Sequence, residues 1–151
     1  PYVLETSIGL DRMFLAILSK SYNEEQLEDG SNRVVLNIPP ALAPIKAAVF
    51  PLTKKDGLPD KAREIMDILK FDHNCQYEEK DSIGKRYRRQ DAIGTPYCIT
   101  VDHESLENNT VTIRERDSMT QERVAIADLP RIIGEKVSMS NLLVARESVE
   151  A

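Results

Sequence analysis

The chain has 151 residues and a formal net charge of −5; 41% of its residues are hydrophobic and 30% are charged. This length and balance are typical of one globular domain, or of a domain with a short appendage, rather than of a disordered chain. No apolar run approaches the ~20 residues that a membrane span requires, so we expect no membrane partner. The acidic balance requires that any nucleic acid be bound through a local basic patch.

The cysteines and histidines do not form a metal-binding pattern. Cys75 and Cys98 lie far apart with no CxxC pair, and His73 and His103 are isolated. We therefore expect reduced thiols, a cytoplasmic protein and no structural metal ion.

The first part of the chain predicts a strand and a helix without a sheet to hold them. Pro1–Leu10 (PYVLETSIGL) is typical of a strand, and apolar residues at helical spacing follow over Asp11–Tyr22. A lone strand leaves its backbone ladder unpaired, so we interpret this pair as part of an upstream domain of a longer protein. The polar segment Glu24–Asn32 predicts a linker, and the prolines of Ile38–Ile45 predict an extended entry into a second domain.

The chain beyond residue 45 predicts an α/β fold. Ala47–Leu52 (AAVFPL) is a short apolar run, as in a buried strand, and Leu58–Lys70 carries its apolar residues on one helical face. The elements predicted after these are a strand at Cys75–Glu78, a helix at Ser82–Ala92, a strand at Pro96–Asp102, a polar turn at Glu104–Asn109, strands at Thr110–Arg114 and Met119–Ile126, and a helix at Asp128–Val137. Helices join the early strands and tight turns join the later ones, which predicts a mixed sheet.

Three groups of residues could carry chemistry. Lys85–Arg89 (KRYRR) has four positive charges around Tyr87, which suits contacts with RNA phosphates and bases, but it also suits a solvated helix face. The alternating charges of Arg114–Asp117 suit either a binding site or a hairpin tip.

The third group lies in the opening segment. Glu5 and Ser7 alternate on the predicted strand, where a carboxylate and a hydroxyl could hold an ammonium group, and Arg12 could hold a phosphate. Gly9 would let a ligand or another backbone approach closely. A capping and ion-pairing role remains open for these residues.

The opening stretch PYVLETSIGLDRMFLAIL resembles motif 3 of the class II aminoacyl-tRNA synthetases, where an acidic residue and an arginine open a helix. Within it, VLETSIGLDR is similar to the version in the dimeric, single-chain glycyl-tRNA synthetases, with departures at Thr6 and Ile8. Further along, APIKAAVFPL, KDGLPDKAREI, SIGKRYRRQDAIGTPYCITVD and TVTIRERDSMTQERV resemble the anticodon-binding domain of the same family. The resemblance covers roughly residues 1–137 and leaves the tail 138–151 unmatched.

The resemblance implies two units and a fold. Residues 1–32 would be the C-terminal end of a class II catalytic domain with a linker, reduced here to a strand–helix remnant. Residues 33–151 would be an anticodon-binding domain with a C-terminal tail. The expected fold of the second unit is α/β, with a mixed, about five-stranded sheet flanked by helices.

The resemblance also implies site residues. Glu5 and Ser7 match the residues that hold glycine, and Arg12 matches the arginine that contacts the ATP phosphates. The arginines that it implies for binding tRNA at the anticodon are Arg86, Arg88, Arg89, Arg114 and Arg116.

The function that the resemblance implies is that of a longer parent enzyme. A homodimer would activate glycine with ATP and Mg²⁺ and transfer it to tRNA-Gly, and this chain alone would be inactive and would need no cofactor. One alternative is a non-catalytic accessory protein, like the accessory subunit of mitochondrial DNA polymerase, and another is a structural domain with surface salt bridges. The presence of Glu5, Ser7 and Arg12 favours the synthetase.

Overall fold

The structure, a computed structural model, describes residues 2–27 and 30–147, with side chains as far as residue 144. Its helices are α1 (Leu10–Ser21), α2 (Leu58–Leu69), α3 (Ile83–Ile93), α4 (His103–Asn108), α5 (Leu129–Lys136) and α6 (Met139–Glu147). Its strands are β1 (Tyr22–Gln26), β2 (Asn32–Leu36), β3 (Ala47–Pro51), β4 (Cys75–Tyr77), β5 (Tyr97–Val101), β6 (Thr110–Glu115) and β7 (Gln121–Ala125). Across these residues, no helix combines the length and the apolar character needed to cross a membrane.

The predicted mixed sheet is confirmed. In the described chain it has five strands in the order β4-β3-β5-β6-β7. Strand β3 runs parallel to β4 and β5, while β6 is antiparallel to β5 and to β7. Helical crossovers join the parallel strands and short connections join the antiparallel ones, as this strand order requires.

The two faces of the sheet are covered unequally. On one face, α2 and α5 contribute Leu58, Ile65, Leu129 and Ile133 to the main core, and all four side chains are buried. On the other face, α3 packs a smaller cluster around Phe50 of β3. On the β6–β7 side of this second face, Thr112 and Arg123 are half-buried and Gln121 is exposed.

The predicted strand at Pro1–Leu10 is wrong for the part that the structure describes. Residues 2–9 form no strand and their side chains are exposed, and Leu10 already belongs to α1. Pro1 lies outside the described residues. A strand is held by hydrogen bonds to a neighbouring strand, and no described strand lies beside this segment.

The predicted linker at Glu24–Asn32 is also wrong, because it contributes to a hairpin. Strands β1 and β2 pair antiparallel with Tyr22 opposite Leu36 and Gln26 opposite Asn32. The polar residues of β1 are tolerated because that strand is mostly exposed, whereas β2 alternates and buries Arg33 and Val35. The predicted domain boundary after residue 32 falls within this hairpin and stays a prediction.

The predicted polar turn at Glu104–Asn109 is the helix α4, and its start explains the difference. The Asp102 side chain accepts a hydrogen bond from the Ser105 backbone N–H at 3.0 Å. In return, the Ser105 hydroxyl accepts one from the Asp102 backbone N–H at 3.0 Å. This reciprocal capping box satisfies donors that a short polar helix would otherwise leave free.

Candidate nucleic-acid interface

Helix α3 positions the basic cluster that the sequence singles out. It starts after Ser82, which occupies the predicted N-cap position with an extended backbone but makes no side-chain capping bond. It ends at Gly94, whose φ of 86° lies in the left-handed region. Within the cluster, Arg86 is buried and Tyr87 packs against the sheet, whereas Lys85 and Arg89 are exposed and Arg88 is half-buried.

The outward side of α3 borders a cavity of about 580 Å³. Its lining residues are Ser31, Ser82, Gly84, Lys85, Arg88 and Arg89. Arg88 donates to the Asn32 carbonyl at 3.2 Å and to the Ser31 hydroxyl at 3.3 Å, which holds it beside the hairpin. Lys85 is exposed. Three cationic side chains thus share one concave, solvent-facing surface, which is the arrangement that binds phosphate groups.

Arg89 is the most strongly paired of these three side chains. It contacts the Glu78 carboxylate, donates to Asp81 at 2.9 Å and remains 42% exposed. These hydrogen bonds, first to Glu78 and then to Asp81, raise the pKa of Arg89. The nearby carboxylates offset part of its charge, so its attraction for phosphate is weaker than its exposure suggests.

Arg86 is placed differently from its neighbours. It is 3% exposed, donates to the Pro51 carbonyl at 2.6 Å and makes two bonds to the Asp81 carbonyl at 3.0 and 3.1 Å. Its guanidinium lies 5.8 Å from the centre of the Phe50 ring. Burial lowers the pKa of Arg86. The N–H groups of Arg86 donate to backbone carbonyls of the same chain, so this geometry does not support its predicted contact with tRNA.

The strand-end arginines are buried as well. Arg114, on β6, is 6% exposed and grips Asp91 of α3 with two hydrogen bonds of 2.9 and 3.1 Å. Its guanidinium lies 4.8 Å from the centre of the Tyr87 ring. Arg116 is 1% exposed and donates to the Gly94 carbonyl at 2.8 Å. The prediction that these arginines bind anticodon bases stays untested, but their burial argues against it, because both guanidinium groups already bond partners inside the chain.

The residue that completes this network, Arg33, was not predicted from the sequence. Arg33 of β2 is 1% exposed, donates to Asp91 at 2.9 Å and to Glu25 at 2.8 Å, and bonds the Arg116 carbonyl at 2.5 Å. Burial lowers the pKa of Arg33, but the hydrogen bonds to the carboxylates outweigh it and raise the value overall. A single arginine within the strand sequence NRVVL carries no sequence signal of burial.

The predicted glycine and ATP residues lie apart from this surface. Glu5 and Ser7 are exposed in the extended segment, and Arg12 is exposed on α1. The described residues give none of the three a side-chain hydrogen bond or ion pair. Their roles stay predictions.

Comparison with known proteins identifies the family. A family model described as "Anticodon binding domain" matches residues 46–136, which run from the start of β3 to the end of α5. The "Glycine--tRNA ligase" of Clostridium tetani is 56% identical over 137 residues, covering 91% of this chain and 29% of that protein. The protein of the same name from Clostridium acetobutylicum is 55% identical over 137 residues, with the same two shares. That from Borrelia hermsii is 54% identical over 129 residues, covering 85% of this chain and 29% of the relative.

These matches confirm the resemblance seen in the sequence. The chain spans about 29% of the length of the curated relatives that it matches. The matched region contains the whole five-stranded sheet, helix α3 and the buried Arg86, Arg114 and Arg116, whereas Arg33 of the hairpin lies before it. The chain therefore belongs to the family of anticodon-binding domains.

Proposed function

We propose that this chain is the C-terminal, anticodon-recognising part of a glycine–tRNA ligase, which activates glycine with ATP and transfers it to tRNA-Gly. The similarity to ligases of that name over 91% of the chain supports the proposal. The observation that carries it is the solvent-facing cavity on α3, where Lys85, Arg88 and Arg89 meet on a chain whose net charge is −5.

Within this proposal the arginines have two different tasks. Arg88 and Arg89, with Lys85, contact the phosphates of the anticodon stem-loop, because their side chains reach solvent. Arg86, Arg114 and Arg116 are positioning residues, which hold α3 on the sheet from inside the fold. Contacts between these outer side chains and RNA phosphates supply local affinity, although the chain as a whole is acidic and does not attract RNA.

Glu5, Ser7 and Arg12 belong to the catalytic part of the proposed enzyme. The carboxylate of Glu5 suits the ammonium group of glycine, and the Arg12 guanidinium suits the ATP phosphates. Mg²⁺ would accompany ATP as part of the substrate; because the described residues contain no cluster of three candidate metal ligands, we assign it no ligand here. The exposed apolar side chains of Met13, Phe14 and Leu15 on α1 support packing against a further part of the enzyme.

We also propose that the enzyme works as a homodimer in the cytoplasm, where protein synthesis takes place.

Binding of an anticodon stem-loop tests the RNA-binding proposal. We expect the 151-residue chain to bind the tRNA-Gly stem-loop in fluorescence anisotropy, and to bind a stem-loop with a swapped anticodon more weakly. Replacing Arg88 with alanine should weaken both, and the slope of log affinity against log salt should fall by about one unit for one lost phosphate contact.

The matched control is Arg131→Ala, which removes an exposed arginine from α5, outside the cavity. It should leave affinity and slope nearly unchanged. If Arg88→Ala binds RNA as Arg131→Ala does, the cavity on α3 is not the phosphate-binding surface.

A further inference from the structure

Asp81 lies in the connection between β4 and α3, immediately before Ser82, which lines the cavity on α3. Its φ of 70° lies in the left-handed region, which residues other than glycine seldom adopt. The Arg86 guanidinium donates two hydrogen bonds to the Asp81 carbonyl, at 3.0 and 3.1 Å. Because Arg86 is itself buried and also donates to the Pro51 carbonyl, the Asp81 backbone is held in this conformation from inside the fold.

The Asp81 side chain is turned toward one of the cations that line the cavity. Its carboxylate accepts a hydrogen bond of 2.9 Å from Arg89, the one hydrogen bond that this carboxylate receives within the described residues. That bond outweighs the desolvation of the group and holds the pKa of Asp81 below its ordinary value, so the carboxylate is ionised at neutral pH. An anion of the chain itself therefore lies on Arg89.

Both terminal nitrogens of the Arg89 guanidinium are engaged in this way. Nη1 donates to Asp81, while Nη2 donates to the Lys80 carbonyl at 2.8 Å and contacts the Glu78 carboxylate. A phosphate that takes the place of one carboxylate gains a charge-assisted hydrogen bond and leaves Arg89 with an anionic partner. An incoming phosphate therefore exchanges with a partner that Arg89 already has.

Among the partners of Arg89, Asp81 is the one that a phosphate can replace most easily. The Lys80 carbonyl belongs to the backbone, and the Glu78 side chain is only 16% exposed. The Asp81 side chain is 37% exposed, and its backbone is held independently of Arg89. It can leave Arg89 by rotation of the side chain alone, while the backbone stays in place.

We propose that Asp81 is an internal stand-in for an RNA phosphate: its carboxylate occupies Arg89 in the unbound chain and turns away when a phosphate of the bound RNA replaces it. The assignment rests on the proposed function, because it concerns the same cavity. Every anion bears the cost of displacing Asp81, but RNA offsets it with further phosphate contacts at Lys85 and Arg88. A small anion lacks those contacts and is held weakly.

The substitution Asp81→Asn tests this competition. Asparagine tolerates a left-handed backbone as aspartate does, but it carries no charge to balance Arg89. We expect the tRNA-Gly stem-loop to bind this variant about two- to fivefold more tightly at low salt, as the loss of one exposed ion pair predicts. A fall in affinity would overturn the proposal, because it would mean that Asp81 prepares Arg89 for RNA.

The matched control is Asp60→Asn, which removes the same charge from a similar ion pair. Asp60 of α2 accepts a hydrogen bond of 3.0 Å from Arg63, and neither residue lines the cavity on α3. We expect this variant to bind the stem-loop nearly as the unsubstituted chain does. Equal gains in the two variants would overturn the proposal, because they would reflect only the change in net charge.

A double-mutant cycle shows whether Asp81 acts through Arg89. In a chain that already carries Arg89→Ala, Asp81→Asn should change the affinity for the stem-loop by less than about 1.5-fold, since the carboxylate has lost its partner. In a chain that carries Arg88→Ala, the two- to fivefold gain should persist. A gain that persists without Arg89 would contradict direct competition.

A titration with pyrophosphate tests the contact without RNA. In ¹⁵N-labelled chains, we expect pyrophosphate to shift the amide signals of Gly84 and Lys85, and to do so at a two- to fivefold lower concentration in Asp81→Asn. If the stem-loop binds and Arg88→Ala weakens it, but Asp81→Asn tightens neither ligand, RNA binding stands and the Asp81 assignment is wrong. If no stem-loop binds but pyrophosphate shows the expected gain, the competition at Arg89 stands and the proposed tRNA function fails.

Discussion

Arg33 in the hairpin and Asp91 in helix α3 form an ion pair of 2.9 Å in which both side chains are almost wholly buried. The same carboxylate also receives both hydrogen bonds of Arg114. One acidic residue therefore joins the hairpin, α3 and strand β6.

We expect Asp91→Ala to destabilise the chain strongly. It would leave the buried Arg114 without a carboxylate and Arg33 with Glu25 alone, a loss of about 3–5 kcal/mol in the free energy of unfolding. Urea denaturation followed by circular dichroism measures it. Asp128→Ala is the control, since its contact with Arg131 is 3.7 Å long and exposed, and it should change stability by less than about 1 kcal/mol. Equal midpoints for the two variants would contradict a structural role for Asp91.

From the ion pair between Asp102 and Arg123, we expect part of the free energy of unfolding to be lost in acid. The pKa of Asp102 in the folded chain is lowered from the ordinary 3.8, first by its hydrogen bond from Arg123. The ionised Asp102 therefore contributes fully to the stability of the fold above that value, and this contribution is lost as pH falls below it. Asp102→Asn keeps a capping side chain but cannot ionise. We expect the stability of the unsubstituted chain to fall more steeply below about pH 4 than that of the variant. Parallel pH profiles of the melting temperature would refute this.

Both cysteines should resist alkylation in the folded chain. Burial raises the pKa of the Cys98 thiol to about 12 and that of Cys75 to about 11. Because the thiolate is the reactive form, iodoacetamide near pH 8 should label both slowly and should label them rapidly after unfolding in urea. Mass spectrometry of timed samples gives the two rates. Fast labelling of Cys98 in the native chain would show that β5 opens to solvent.

Alanine substitutions at Gly94 and Gly57 distinguish the cost of backbone strain from the cost of steric crowding. Both have a left-handed backbone, with φ of 86° and 76°. A Cβ at Gly94 would lie 3.1 Å from the Leu36 carbonyl oxygen of the hairpin, whereas a Cβ at Gly57 would meet no described atom within 4 Å. Each alanine substitution should cost about 1–2 kcal/mol for the left-handed backbone. Gly94→Ala should lower the free energy of unfolding more than Gly57→Ala does, as measured by urea denaturation. Equal losses would mean that the hairpin shifts to accommodate the added Cβ.

The α/β order from residue 47 onward was predictable because local patterns determine it. The apolar run of β3, the helical periodicity of α2 and the alternation in β6 each reflect burial of one face or both. Each pattern is complete within one element, so no knowledge of distant residues is needed. The sequence also predicted the family, since its motifs follow one another over most of the chain.

The hairpin and helix α4 could not be predicted in the same way. Strand β1 (YNEEQ) has no apolar alternation, and it is a strand because β2 pairs with it. Helix α4 depends on two reciprocal bonds between Asp102 and Ser105 more than on periodicity. In both cases polar residues form regular structure because particular partners satisfy their backbone groups.

By itself, the sequence determined the order of the strands and helices of the sheet domain except for α4, together with its family and the existence of a basic cluster. Only the tertiary structure decided which arginines are buried and which reach solvent. Arg114 and Arg88 carry the same charge in similarly polar surroundings along the chain, but Arg114 meets Asp91 from another element and is buried, while Arg88 lies at a solvent-facing cavity. A guanidinium can be buried only where carboxylate or carbonyl oxygens accept its hydrogen bonds, as Asp91 does for Arg114 and Pro51 for Arg86, and the sequence does not show which distant residues meet.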